Sequence, residues 1–105
     1  MAKPVRVAQV GALHSHAADY RESLLHLPEA RLVACYDSDL AAARARLGPA
    51  LADLPLYDQL PELLVGERPE AALITLPSDA APAAVVACAD AGVHCFVDFP
   101  LPPGS

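Results

Sequence analysis

Short runs of consecutive apolar residues alternate with stretches in which apolar positions recur every three or four residues, and the alternation continues along the chain. Val5 to Val10 is the first run, a β-rich segment that ends abruptly at Gly11. From Ser15 to about Leu27 the apolar residues Ala17, Tyr20, Leu24 and Leu27 fall at helical spacing, and Pro28 stops the helix. Arg31 to Tyr36 is a second strand-like run, ending at Asp37. A second helix places Leu40, Ala43 and Leu47 on one face and ends at Gly48-Pro49. Leu56-Tyr57 is a minimal strand. Asp58 is then positioned to cap a short helix carrying Leu60, Leu63 and Leu64, closed by Gly66. Ala71 to Leu76 is a clear strand. The next helix runs from about Asp79 to Ala91 with Ala81, Val85 and Cys88 in register, and Gly92 is its stop. His94 to Asp98 is the last strand, followed by a Pro-rich end.

Strands that read as continuous apolar runs, each followed by a helix, predict a parallel sheet covered on both faces. The expected fold is therefore a doubly wound, Rossmann-like α/β domain of three layers, α/β/α, with about five strands and incomplete at its C-terminal end. At 105 residues there is room for one domain, residues 1–105. A chain of this size buries roughly 60–65% of its unfolded surface. Composition sharpens the core: 54% of residues are hydrophobic but only 5% aromatic, so the interior must be built from Ala, Leu and Val.

Charge narrows the partners. The net charge is −6 and the chain has one lysine, Lys3, with its arginines scattered. A nucleic-acid surface needs clustered cations to displace phosphate counterions, so DNA and RNA are not expected partners. An anionic membrane surface is disfavoured for the same reason, and no apolar run approaches the ~18 residues of a membrane span. Cys35, Cys88 and Cys95 contain no C-x-x-C pair and read as free thiols in a reducing cytoplasm.

The candidate chemistry sits after the first strand. A strand-to-helix turn of this kind presents backbone N–H groups and the helix dipole to a pyrophosphate, usually through G-x-G-x-x-G. Here the turn reads Gly11-Ala12-Leu13-His14-Ser15-His16, and only the first glycine is kept. Leu13 stands where the second glycine allows close approach of phosphate, and His16 where close helix–strand packing is expected. His14, His16 or Ser15 is placed to bond a phosphate. A metal needs further ligands than two histidines at i, i+2, and none is expected. Asp37 lies 21 residues beyond His16, where a carboxylate accepts from ribose hydroxyls. Asp at a strand end also commonly caps the next helix, and the two roles remain open at this stage. With Asp39 nearby, Asp37 would repel the extra phosphate of NADP, so NAD is the expected cofactor. His26 reads as a surface residue.

The segments Val5-Arg-Val-Ala-Gln-Val-Gly11, Leu32-Val-Ala-Cys-Tyr-Asp37, Pro69-Glu-Ala-Ala-Leu-Ile-Thr-Leu-Pro77 and Ala91-Gly-Val-His-Cys-Phe-Val-Asp-Phe-Pro-Leu101 resemble, in order and spacing, the N-terminal domain of the Gfo/Idh/MocA oxidoreductases. The resemblance implies binding of NAD or NADP by this domain, with oxidation or reduction of sugars, inositols and related polyols once a second α/β domain supplies the substrate site. It implies cofactor contacts from Gly11, Leu13, His14, Ser15, His16, Asp37, Ser38, Leu76, Pro77, Asp98 and Pro100. The family's Glu-Lys-Pro is here Asp98-Phe99-Pro100, and its Thr-Pro-Asn-x-x-His is here Leu76-Pro77-Ser78 with Ala81 in the histidine position. Phe99 cannot accept a proton from a substrate hydroxyl, so no catalytic residue is assigned. The expected protein is a dinucleotide binder from a truncated oxidoreductase, cytoplasmic and homo-oligomeric. Two alternatives stand beside it. One is a ligand-sensing or CoA-binding module, which Ile74-Thr-Leu-Pro-Ser-Asp-Ala-Ala-Pro82 also resembles. The other is a scaffold in which Leu13 and His16 block nucleotides.

Overall fold

A computed structural model describes residues 3–13, 16–77 and 79–97. Five strands, β1 (Val5–Val10), β2 (Ala30–Tyr36), β3 (Leu56–Tyr57), β4 (Ala71–Ile74) and β5 (His94–Val97), alternate with four helices, α1 (Ala17–Leu25), α2 (Leu40–Leu47), α3 (Leu60–Glu67) and α4 (Ala81–Asp90). All strand pairings are parallel, in the order β3-β2-β1-β4-β5. The chain winds outward from β1 through β2 to β3, then crosses back to β4 and β5. The winding therefore reverses between β1 and β4, where the loops after the two strands diverge and leave a crevice at their C-terminal ends.

The apolar runs form the central strands because both of their faces are covered. Ala8, Val10, Ala34, Ala72 and Ile74 pack with Leu60, Leu63 and Leu64 of α3 and Ala81, Ala84 and Cys88 of α4. The other face is smaller, with Ala12, Cys35, Ala43 and Leu47 joined by Leu51, Leu54 and Leu56. The interior is built from small aliphatic side chains, as the composition requires. The β1–β2 register shifts by one after Val7, which pairs with Leu32 while Ala8 pairs with Ala34. Val33 is the extra residue. The irregularity lets Ala34 enter the α3–α4 core and Cys35 the opposite one.

The first helix departs from its apolar pattern. Tyr20 and Leu27, expected on its inner face, are exposed, and its buried residues are Ala17 and Arg21, with Leu24 partly covered. The reason lies in β1, which places Gln9, fully buried, under this helix. Gln9 Nε2 donates to the Ala17 carbonyl at 2.9 Å, and Arg21 Nη1 donates to Gln9 Oε1 at 2.9 Å. Arg21 Nη2 reaches on to the Arg46 carbonyl at the end of α2, at 3.3 Å. A buried amide demands partners, so the helix turns its arginine inward. His26 is exposed and pairs with Glu22 at 3.2 Å.

Three further boundaries differ from the sequence reading. The cap position of α3 is Gln59, not Asp58, and it makes no side-chain cap bond. Gly66 lies inside α3, because a Cβ there would stand 3.1 Å from the Tyr57 hydroxyl; the absent side chain makes room for Tyr57, and Arg68 ends the helix in the left-handed conformation instead. The strand expected to reach Leu76 ends at Ile74, although Thr75 still donates its backbone N–H to Val10 at 2.9 Å. At the end of α2, Arg44 gathers the carbonyls of Leu51, Ala52 and Leu54, each at 3.1 Å, and so fixes the 3-10 turn (Pro49–Leu51) that leads into β3. Asp98, Phe99 and Pro100 lie outside the described residues.

Arg21→Ala leaves the Gln9 amide oxygen buried without a donor, and is expected to cost about 2–3 kcal/mol in chemical denaturation. Gln9→Leu combined with Arg21→Leu should cost less than the sum of the two single changes. The Cys35 and Cys88 thiols are both pushed up to about 12, mainly by burial, with the neighbouring Cys95 adding to the shift at Cys88. Since only the thiolate alkylates readily, iodoacetamide at pH 8 should spare Cys35 and Cys88 in the native protein and modify both after unfolding, read by mass spectrometry.

Candidate nucleotide cleft

The cleft begins with a close approach of two strand ends. Gly11 has φ of +101°, and a Cβ there would lie 2.6 Å from the Thr75 carbonyl oxygen. The Thr75 hydroxyl donates to the Gly11 carbonyl at 2.6 Å, and Gly11 donates its N–H to Tyr36 at 2.8 Å. β1 is thus tied to β4 on one side and to β2 on the other just where it ends. Only a residue without a side chain fits there.

Asp37 completes the turn. It is buried, and its Oδ2 accepts from the Ala12 N–H at 2.9 Å while Oδ1 accepts from the Asp39 N–H at 3.0 Å. Its own N–H donates to Tyr57 at 3.0 Å, so the backbone is tied to β3 while the carboxylate is held by two N–H groups. Helix capping falls to a neighbour. Asp39 is the N-cap residue of α2 and its Oδ1 accepts from the Ala42 N–H at 3.0 Å. The capping role held open for Asp37 thus belongs to Asp39, and Asp37 instead anchors the glycine turn.

Around this anchor lies a cavity of about 700 Å³. Of the residues singled out in the sequence, Gly11, Leu13, Asp37, Ser38, Leu76 and Pro77 line it. His16 does not; it is exposed at the N-terminal end of α1, in edge-to-face contact with Tyr20. The close packing expected at His16 is supplied by Ala17, which is fully buried. His14, Ser15, Asp98 and Pro100 lie outside the described residues. Leu13 is half-buried and borders the cavity without filling it.

Periodicity and motif spacing missed the far wall. Tyr36, Gln59, Leu60 and Pro61 come from the ends of β2 and β3 and the start of α3, and Asp79, Ala80, Ala83, Ala84 and Ala87 from the approach to α4 and its inner face. The run of alanines at i, i+3, i+4 and i+7 marks the surface where a helix has no large side chain. In the sequence those alanines are indistinguishable from ordinary core positions. Among the described residues no three His, Cys, Asp or Glu side chains converge on a metal-sized site, and no helix is long and apolar enough to cross a membrane.

A cavity of this size at the C-terminal ends of parallel strands, beside the reversal of winding, falls within the usual volume of small-molecule and cofactor sites. The comparisons with known proteins agree with the geometry. The model of the GFO/IDH/MocA oxidoreductase family, NAD-binding Rossmann fold, matches residues 5–104. No curated protein matches by sequence. Among solved structures, a dehydrogenase from Chromobacterium violaceum is 28% identical, with a TM-score of 0.82 over 92% of this chain and 28% of that one. The WlbA dehydrogenase of the same organism, solved with NADH and UDP-GlcNAcA, is 25% identical with a TM-score of 0.76, over 92% of this chain and 28% of that one. A protein from Desulfitobacterium hafniense described as an NADPH-dependent oxidoreductase is 25% identical with a TM-score of 0.78, over 91% of this chain and 27% of that one. This chain thus spans little more than a quarter of the length of those relatives, and what it spans is the cofactor domain. It belongs to the Gfo/Idh/MocA oxidoreductase family, as an NAD-binding Rossmann domain.

Proposed function

We propose that the cleft binds NAD(H) in preference to NADP(H), as the cofactor part of an oxidoreductase that acts on a sugar, polyol or related small molecule. The observation that carries this reading is the Asp37 carboxylate, held rigidly on the cavity wall by the Ala12 and Asp39 N–H groups. Each oxygen has a lone pair left over, which suits the vicinal hydroxyls of a ribose. A phosphate esterified to one of those hydroxyls would bring like charges together in a poorly hydrated site. Asp39, exposed and two residues on, adds to the repulsion.

The glycine turn after β1 supplies backbone approach for the pyrophosphate, and Leu13 sets how deep the phosphates sit. Ser38 borders the ribose position, while Leu76 and Pro77 form an apolar wall. When bound, the nicotinamide supplies the hydride donor or acceptor. The proton acceptor for a substrate hydroxyl is assigned to the part of the enzyme that holds the substrate, since Phe99 stands in the lysine position of the family pattern.

Calorimetric titration of the folded chain should show NADH binding at least roughly tenfold tighter than NADPH, equivalent to about 1.4 kcal/mol. Asp37→Asn removes the charge and should narrow that ratio. Absence of binding to either nucleotide at millimolar concentration, or tighter binding of coenzyme A, would overturn the reading; equal affinity for the two would overturn the preference. In a parallel experiment, Gly11→Ala should destabilise the domain by about 2–5 kcal/mol, through backbone strain and the clash with Thr75. The readout is a melting point lowered by roughly 10 °C or more.

A further inference from the structure

We infer that Gln59 is a specificity residue that reads the base of the dinucleotide, its carboxamide pairing with the 6-amino group and the adjacent ring nitrogen of adenine. The inference rests on the dinucleotide reading above and extends it to a part of the cleft that no motif marks.

Gln59 occupies the N-cap position of α3 in an extended conformation, φ −128° and ψ 113°, yet makes no side-chain cap bond. The start of the helix is secured without it, by a proline in the first turn and by the Leu63 N–H donating to the Gln59 carbonyl at 3.3 Å. The side chain is exposed and borders the cavity.

The position suits a base. Asp37 and Tyr57 are joined by a backbone hydrogen bond, so the ends of β2 and β3 lie side by side, and Gln59 follows Tyr57 by two residues. A ribose on Asp37 would send its base along the cavity towards the first turn of α3. There Leu60, Pro61, Leu76, Pro77 and Ala80 line the cavity, apolar surfaces suited to the faces of a flat ring.

Adenine needs an acceptor for its amine and a donor for the neighbouring nitrogen, and one carboxamide offers both. The other polar side chains of this wall fit less well. The Thr75 hydroxyl is given to Gly11, while the Asp37 carboxylate, which accepts but cannot donate, and Ser38 beside it are taken by the ribose in the reading above. The Asp79 carboxylate can accept but not donate.

The test compares NAD⁺ with 1,N6-etheno-NAD⁺, whose extra ring removes the N6–H and blocks N1, in titrations of the whole chain. Wild-type protein should bind NAD⁺ roughly tenfold tighter than the etheno analogue. Gln59→Ala should lose that factor for NAD⁺ and leave the analogue unchanged, with the melting point also unchanged because the side chain holds nothing in the fold. Equal binding of the two nucleotides by the wild type, or a Gln59→Ala effect that is absent or the same for both, overturns the inference while the dinucleotide reading stands. Binding of neither nucleotide overturns both.

Discussion

The end of β1 passes so close to β4 that the Thr75 carbonyl occupies the space a side chain at residue 11 would need. That contact fixes the depth of the crevice between the two halves of the sheet, and three hydrogen bonds hold it. The Thr75 hydroxyl bonds to Gly11, Gly11 to Tyr36, and the Asp37 carboxylate to Ala12. One comes from the end of β4 and two from the end of β2. Gly11 and Ala12 are therefore held by their neighbours, and a ligand entering the cleft meets that part of the backbone already in place. A preformed site spares the ordering cost that a mobile loop imposes on binding.

Beneath the first helix the packing follows a different logic. Gln9 puts an amide where a central strand would ordinarily put Val or Ile, and Arg21 answers it from α1 while touching the end of α2. Aliphatic surfaces slide past one another at little cost, whereas directed bonds in a poorly hydrated interior have a single satisfied arrangement. The polar layer thus sets the register of α1 on the sheet and links it to α2. On the opposite face, α3 and α4 settle by shape alone, through leucine, alanine and cysteine.

The strands and their order of appearance were legible because continuous apolar runs have few alternatives once glycine and proline bound them. β1 and β3 begin and end where the pattern places them. What was not legible depended on partners distant in sequence. The inward turn of Arg21 follows from Gln9, twelve residues earlier, and amphipathic counting instead points Tyr20 inward. Gly66 resembles a helix stop until Tyr57 is known to pack on it. Asp37 is a plausible cap in one dimension, and only the hydrogen bonds, from Ala12 to Asp37 and from Ala42 to Asp39, show that its neighbour takes that role. Gly11, Leu13, Asp37, Ser38, Leu76 and Pro77, named from the glycine turn, its acid and the family resemblance, do line the cavity, whereas Gln59 and the alanine face of α4 carry no local signature.

The double engagement of Asp37 has an implication for how such a domain can change over generations. A residue that only faced a ligand could drift, and its preference would drift with it. Here the same carboxylate fastens the glycine turn to the second strand, so a mutation that alters the charge presented to the cavity also loosens the scaffold around it. If Asp37 reads the ribose as proposed, selectivity and foldability are coupled through one side chain. A lineage that altered one would first need a second anchor for Ala12, and the order of those two steps constrains the routes open to it.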